Sequence, residues 1–499
     1  MKSNRTFIVK AFVFLTALTV ITGVAFSVNT GLLKRGPVNN SYSGKPAKYV
    51  FLFIGDGMGL PQVSSAEIFA GAMKGSKYPD APRSLSFTSF DAQGITTTHD
   101  ASSFITDSAS AGTAIATGNK TLNGVISMDV NLKERYKSIA KMAKEKGMKV
   151  GIISSVSIDH ATPAVFYANV QSRKMMYEIG LQLAESGFDY FAGGSVVDPD
   201  GKKSKMENKP GNLFDYARSK GYTIARNKKE FNNLRPGMNK VWAITERPAD
   251  EAAMLYEIDR GEELSLKDFT KKGIELLEND NGFFIMVEGG KIDWACHAND
   301  GMTAIKDVFA FDAAVREALD FAKKHPQDTL VIVTGDHECG GMTVGFAGTK
   351  YDTFFHKLKN QKISYIMFDE KLDELQSKKG ELKFDDVLSL VEKYFGLNSN
   401  KNDKEFGMTD YEISLLKDAC NHVNLKERGE SLYLLYGEYN PISVTVTHIL
   451  NRKAGIGWTS YSHTGVPVPT YATGVGADLF DGYYDNTDIF KKLVSVMGF

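Results

Sequence analysis

Two residue pairs in this chain have types and spacings that suit metal-assisted chemistry. Asp293 and His297 stand at i and i+4 in Ile292-Asp293-Trp294-Ala295-Cys296-His297. On a helix that spacing puts both on one face, as two ligands to one ion require. Asp336 and His337 are adjacent in Thr334-Gly335-Asp336-His337-Glu338, and His463 stands in the Gly- and Ser-rich loop Ser462-His463-Thr464-Gly465. Imidazole and carboxylate donors without a thiolate set suit Zn²⁺ in open, catalytic coordination. The supply of Asp and His fits two such sites, with one carboxylate bridging toward a third. A lone Asp-x-x-x-His carries little weight, so the reading rests on the whole set.

A nucleophile is the next requirement. Thr106-Asp107-Ser108-Ala109-Ser110-Ala111-Gly112-Thr113-Ala114 is a run of small residues that predicts a helix start with Ser108 in its first turn. Free backbone N–H groups and the positive dipole end there favour an anionic, phosphate-bearing substrate beside the hydroxyl. The plainer reading is a Ser or Asp cap with no chemistry. Metal coordination would activate Ser108 without a His base. No Gly-x-Ser-x-Gly elbow surrounds it, which argues against an α/β-hydrolase triad.

These residues need a scaffold. From Lys48 onward short apolar runs alternate with helical patterns, which predicts an α/β fold with a mainly parallel central sheet flanked by helices. The run at 49–54 reads as a strand buried on both faces, those at 150–153, 283–287 and 329–333 read as further strands, and 138–146 reads as a helix. Three of the four strands end in an acidic residue beside Gly: Asp56, Glu288 and Asp336. Asp and Gly commonly make turns after strands. Three together at the carboxyl ends of a sheet, where ligands bind, read as a site. Between about Gly345 and Ile456 Lys and Glu become dense and helical segments such as 384–395 appear, with capping-box spacing at Thr409-Asp410-Tyr411-Glu412. This predicts an inserted helical lid or crown-like subdomain over 345–456, the rest of the catalytic domain being 28–344 and 457–499. A last strand is expected over 468–474.

In order along the chain, Ile54-Gly55-Asp56-Gly57-Met58-Gly59, Thr106-Asp107-Ser108-Ala109, Val287-Glu288-Gly289-Gly290-Lys291-Ile292-Asp293, Thr334-Gly335-Asp336-His337 and Ser462-His463-Thr464-Gly465 resemble the alkaline phosphatase family. The resemblance spans 48–499 apart from the insertion. It implies that Ser108 attacks phosphorus and becomes phosphoserine. It places Asp293, His297 and His463 on one Zn²⁺, and Asp56, Asp336 and His337 on a second. Asp56, Thr162 and Glu288 would form a third site, normally Mg²⁺. Arg173 matches the arginine that grips phosphate oxygens, a task its planar fork suits better than Lys. The implied protein is a homodimer that hydrolyses phosphate monoesters to inorganic phosphate. Two departures stand near the third site and the phosphate. His160 replaces an Asp of some members, and Trp294 replaces a Lys or His. Asp107 and these two residues are read as neighbours of the substrate and metals. A related phosphodiesterase or sulfatase, and a non-catalytic metal- or phosphate-binding protein, are the alternatives.

Composition sets the outer bounds. Fifty-nine Lys and Arg against 60 Asp and Glu give a net charge of -1, with no electrostatic footprint for nucleic acid. Lys2, Arg5 and Lys10 precede an uncharged stretch, 11–26, slightly short for a bilayer span. Residues 1–27 therefore read as a signal peptide, with export to the periplasm or medium, no stable membrane span after cleavage, and an uncleaved anchor as the alternative. Cys296, Cys339 and Cys420 are too few for a disulfide scaffold. Cys296 and Cys339 read as small buried hydrophobes or, alternatively, a mutual disulfide.

Overall fold

The computed structural model describes residues 38, 40–76, 84–427 and 429–499. The signal segment expected over 1–27 lies outside them. Strands β1 (Tyr49–Gly55), β2 (Ala92–Thr97), β3 (Lys149–Ser154), β4 (Tyr190–Gly193) and β5 (Thr223–Ala225) come first. They are followed by β6 (Val241–Ile244), β7 (Phe283–Glu288) and β8 (Thr329–Gly335). Four two-residue strands come next: β9 (Glu338–Cys339), β10 (Thr343–Val344), β11 (Ile456–Gly457) and β12 (His463–Thr464). β13 (Val468–Gly474) and β14 (Gly482–Asp485) close the series.

Among the described residues ten of these strands form one sheet, in the order β14-β2-β13-β8-β1-β7-β3-β4-β6-β5. All pairings in it are parallel except those of β13, which runs antiparallel to both β2 and β8. β1 lies near the middle and is buried along its whole length. Phe51 and Phe53 enter one apolar layer, while Val50, Leu52 and Ile54 enter the other. Covered faces on both sides explain why the run lacks polar alternation. Each ring removed from water there contributes about 1.5–3 kcal/mol.

Helices Leu60–Met73, Leu266–Leu277 and Gly301–Ala322 cover the first layer. Ser108–Thr117, Ile139–Glu145 and Asn486–Met497 cover the second. The expected helix at 138–146 is Ile139–Glu145, with Ser138 as its cap accepting from the Lys141 amide at 3.2 Å. β2, β4, β5, β6 and β14 were not foreseen: they are short, and some, such as Gln93 and Thr96 in β2, carry polar residues that blur the apolar pattern. The strand at 468–474 exists, yet β14 follows it.

Residues 345–456 carry the helices Tyr365–Lys379, Phe384–Phe395, Asp410–Leu425, Glu430–Tyr436 and Pro441–Ala454. Thr409 forms the expected capping box with Glu412. The two ends of this stretch are tied together where Val344 pairs with Ile456 and Thr343 with Gly457 in an antiparallel ladder. Closed ends make a long excursion cheap in chain entropy. Its Phe368, Val391 and Leu416 pack into the same apolar layer as Phe51. Among the described residues no helix is long and apolar enough to cross a membrane.

Candidate active site

β1 is flanked by β8 and β7, and Ile54 pairs with both Thr334 and Glu288 while Gly55 pairs with Gly335. That register brings Asp56, Glu288 and Asp336 out at neighbouring strand ends. Just beyond, Gly57 has φ +68°, and a Cβ there would lie 2.8 Å from Asp293 Oδ1 and 2.9 Å from Cys339 Cβ. Glycine thus lets the turn after β1 touch the helix Lys291–His297, which carries Asp293 and His297. His463 was expected in a loop, but it lies in β12, paired with Cys339 of β9. The neighbouring Glu338 carboxylate, which accepts from Gln62 Nε2 at 2.9 Å and from the Met342 amide at 3.1 Å, anchors that ladder. This hairpin-like pairing of distant segments carries His463 to the sheet.

His297 Nδ1 lies 2.7 Å from the Tyr461 carbonyl and His463 Nδ1 2.8 Å from the Thr106 carbonyl. A carbonyl accepts only, so each Nδ1 carries a proton, and in the neutral form each ring presents a bare Nε2 to a cation. Those two Nε2 atoms are 3.1 Å apart. Asp293 Oδ2 lies 3.3 Å from His297 Nε2 and Oδ1 lies 3.5 Å from His463 Nε2, while Oδ1 has no hydrogen-bond donor. Lone pairs converging on one point fit a cation. Burial alone would raise the Asp293 carboxyl, but His297, His463 and His337 hold it well below its usual range.

The second group is completely buried. His337 Nε2 is 3.2 Å from Asp56 Oδ1 and 3.5 Å from Asp336 Oδ2. Ser108, at the first position of the helix Ser108–Thr117, places Oγ 3.4 Å from Asp56 Oδ1 and 3.2 Å from His337 Nε2. Asp56 also reaches a third group: its Oδ2 accepts from Thr162 Oγ1 at 3.3 Å, and donor atoms of Asp56, His160 and Glu288 lie within 4.8 Å of one another. Burial, and then the charge of Asp56, push both Glu288 and Asp336 well above the carboxylate range. His337 loses by burial yet is lifted to about 10 by Asp336 and Asp56. Glu288 Oε1 and Asp336 Oδ2 are buried without a donor. So many crowded carboxylate oxygens in one dry space call for divalent cations.

Arg173 donates from Nη1 to Oδ2 of Asp107, the residue before Ser108, at 3.0 Å and from Nη2 to His160 Nε2 at 2.9 Å. His160 therefore accepts at Nε2 and is neutral, its pKa pushed down to about 4 by burial and by Arg173. Asp107 caps the Ser108 helix through the Ser110 amide at 3.0 Å. Trp294 meets His160 edge-on at 5.8 Å between ring centres. The catalytic and metal-site residues singled out from the sequence thus lie in adjoining groups.

Some neighbours escaped sequence reasoning. Lys291 is fully buried, with Nζ 4.5 Å from the Trp294 ring centre and 3.2 Å from Asp250 Oδ1. Its place one helical turn before Trp294 was the available signal. Cys339 offers Sγ within 4.8 Å of the Asp293, His297 and His463 donors. It and Cys296 are free, buried thiols, both raised by burial, so the mutual disulfide does not form.

The family model described as alkaline phosphatase matches residues 47–499. Alkaline phosphatase 4 of Bacillus subtilis is 35% identical over 457 residues, covering 89% of this chain and 88% of that protein. Among solved structures, the cold-active alkaline phosphatase of Shewanella sp. superposes with a TM-score of 0.72 at 29% identity, covering 90% of this chain and 99% of the other. A His-to-Asp variant of the alkaline phosphatase from the Antarctic bacterium TAB5, with Mg bound in its M3 site, gives a TM-score of 0.62 at 26% identity, covering 92% and 99%.

Proposed function

The chain belongs to the alkaline phosphatase family and is a phosphatase, and from that premise we propose that it hydrolyses phosphate monoesters through a phosphoserine at Ser108. The observation that carries this reading is the Ser108 hydroxyl at a helix start, 3.2 Å from His337 Nε2 and 3.4 Å from Asp56 Oδ1. Two Zn²⁺, held by Asp293, His297 and His463 and by Asp56, Asp336 and His337, with Mg²⁺ near Asp56, Thr162 and Glu288, would supply charge stabilisation for the entering and leaving oxygens. The orphaned Asp293 Oδ1, Asp336 Oδ2 and Glu288 Oε1 support that set. Ser108 Oγ forms the bond to phosphorus as the ester P–O bond breaks and the alcohol leaves with a proton. Water then attacks the phosphoserine, phosphate departs, and Oγ regains its proton. The Arg173 fork, held in place by Asp107, orients the non-bridging oxygens.

Comparing turnover of a phosphate monoester, a diester and a sulfate ester tests the reading. Monoester turnover should be fastest; a faster diester or sulfate ester would overturn it. Export through 1–27, a homodimer, and a lid role for 345–456 belong to the same proposal.

The third site yields a separate expectation. A neutral His160 next to Asp56 and Glu288 offers one carboxylate fewer than an Asp would, and hard oxygen donors suit Mg²⁺. The Mg-bound His-to-Asp variant of the TAB5 phosphatase supports the comparison. His160→Asp should tighten Mg²⁺ activation by at least about tenfold, read from activity against Mg²⁺ concentration. Trp294→Lys should set an ammonium near Arg173 and strengthen inhibition by inorganic phosphate several-fold. An unaltered Mg²⁺ curve or phosphate inhibition constant would remove the reading of that residue.

A further inference from the structure

Beside the metal-ligand cluster lies an open cleft of about 560 Å³. His297 and Trp294 stand on its inner side, so it adjoins the place where the ester oxygen would be cleaved. Residues of the helical stretch 345–456 form much of the opposite wall, among them Tyr365, Tyr433 and Tyr439. Three of the cleft's rings, Tyr365, Tyr439 and Tyr461, form a connected surface. Tyr365 meets Tyr439 edge-on at 5.6 Å, and Tyr439 lies 6.3 Å from Tyr461, whose carbonyl takes the His297 Nδ1 hydrogen.

Apart from the metal-ligand candidate His297, the charged side chains lining the cleft are all acidic. Asp250, Glu251 and Glu438 line it, while no Lys or Arg does so among the described residues. Lys291 is buried behind the Trp294 ring and paired with Asp250, and Lys426 lines the adjoining pocket rather than this one, so Glu251 and Glu438 are left exposed to a ligand. The loop that presents Asp250 and Glu251 is held in an unfavourable backbone. Glu251 and Ala252 have φ of 46° and 60°, left-handed values that non-glycine residues rarely adopt. Bonds from the Ser195 amide to the Ala252 carbonyl and from the Ala249 amide to the Ala253 carbonyl, both 2.7 Å, keep it there. Strain of this kind persists where the surrounding structure fixes a functional placement.

Aromatic faces and carboxylates with no competing base attract compact cations, above all quaternary ammonium groups. We propose that this cleft is the leaving-group subsite of the enzyme and that it selects phosphate monoesters of short amino alcohols carrying a positive charge. The inference rests on the monoesterase reading. It places phosphate at Ser108 and Arg173 and the ammonium group between the tyrosine rings and Glu438.

The test compares kcat/KM for choline phosphate, its uncharged isostere 3,3-dimethylbutyl phosphate, and the anionic 3-phosphoglycerate, using the metal-loaded full chain. Choline phosphate should exceed the isostere by about tenfold, the size of a cation–π contact reinforced by a nearby carboxylate. 3-Phosphoglycerate should be the poorest of the three. Glu438→Gln and Tyr433→Ala lie on the exposed rim, and each should cut the choline-to-isostere ratio several-fold; their melting temperatures verify folding. Equal turnover of choline phosphate and the isostere, with both readily cleaved, would overturn the subsite and leave the monoesterase standing. A preference that survives both substitutions would overturn its assignment to this cleft. Failure to cleave any of the three, alongside cleavage of a diester or sulfate ester, would overturn the monoesterase reading itself.

Discussion

Ser108→Ala is expected to keep its metals and to lose at least about 10³-fold in kcat on a phosphate monoester, because the covalent route disappears. The side chain is almost completely buried at the first turn of its helix, and Asp107, not Ser108, accepts from the Ser110 amide as the cap. Removing Oγ therefore deletes a nucleophile without unmaking the helix. It also leaves Asp56, Asp336, His337, Asp293, His297 and His463 in place, so metal content measured on the purified variant should match the parent. Residual turnover through direct attack by water sets the floor. Trapping at acid pH with labelled substrate should mark Ser108 in the parent and nothing in the variant. Turnover near the parental rate without label would refute the nucleophile and favour direct attack by water, and label on the variant would point to a different nucleophilic residue.

How far the sequence already disclosed this site depends on whether a residue's partners are local. The i, i+4 spacing of Asp293 and His297 survives intact because a helix converts sequence separation directly into geometry. The acidic ends of β1, β7 and β8 were also legible, since buried parallel strands read as unbroken apolar runs that stop at a polar residue. That the three strands are neighbours was not legible, because their order arises from crossovers of many residues. His463 is the clearest case. Its loop composition hid a two-residue pairing with Cys339, more than a hundred residues earlier, which with the Thr106 carbonyl holds the imidazole beside Asp293. Strand β13 was found but its antiparallel sense was not, because direction leaves no mark on composition. The aromatic cleft was invisible for the same reason. Tyr365, Tyr439 and Tyr461 come from separate segments, and the ends of that stretch meet through the ladder between Val344 and Ile456 and the backbone bonds from Gly345 to Gly455 and from Phe354 to Ala454.

Stripping the metals with a chelator should abolish monoesterase activity and also make stability depend on pH in a defined direction. In the metal-free fold Glu288 and Asp336 hold protons well above the ordinary carboxylate range, through burial and then Asp56, and His337 is lifted to about 10. Groups raised in this way stabilise the fold below their unfolded pKa values and lose that contribution as pH climbs through the folded ones. Asp293 has the opposite sign, since it is depressed and its contribution vanishes only in acid. His160 and His463, both pushed down to about 4 chiefly by burial, exert their effect below neutrality. From pH 7 to 10 the raised groups at the metal site lose their contribution, so the chelated protein should lose melting temperature relative to the loaded protein as pH rises. Bound cations displace those same protons, so loading should grow more stabilising across that window. A site filled at a thousandfold excess over its Kd adds about 4 kcal/mol. The quantity to measure is the difference in Tm between loaded and chelated protein at each pH, which cancels titrations elsewhere in the chain. A gap that stays flat or narrows toward pH 10 would show that these carboxylates and His337 do not hold the metals, whatever the activity of the loaded enzyme.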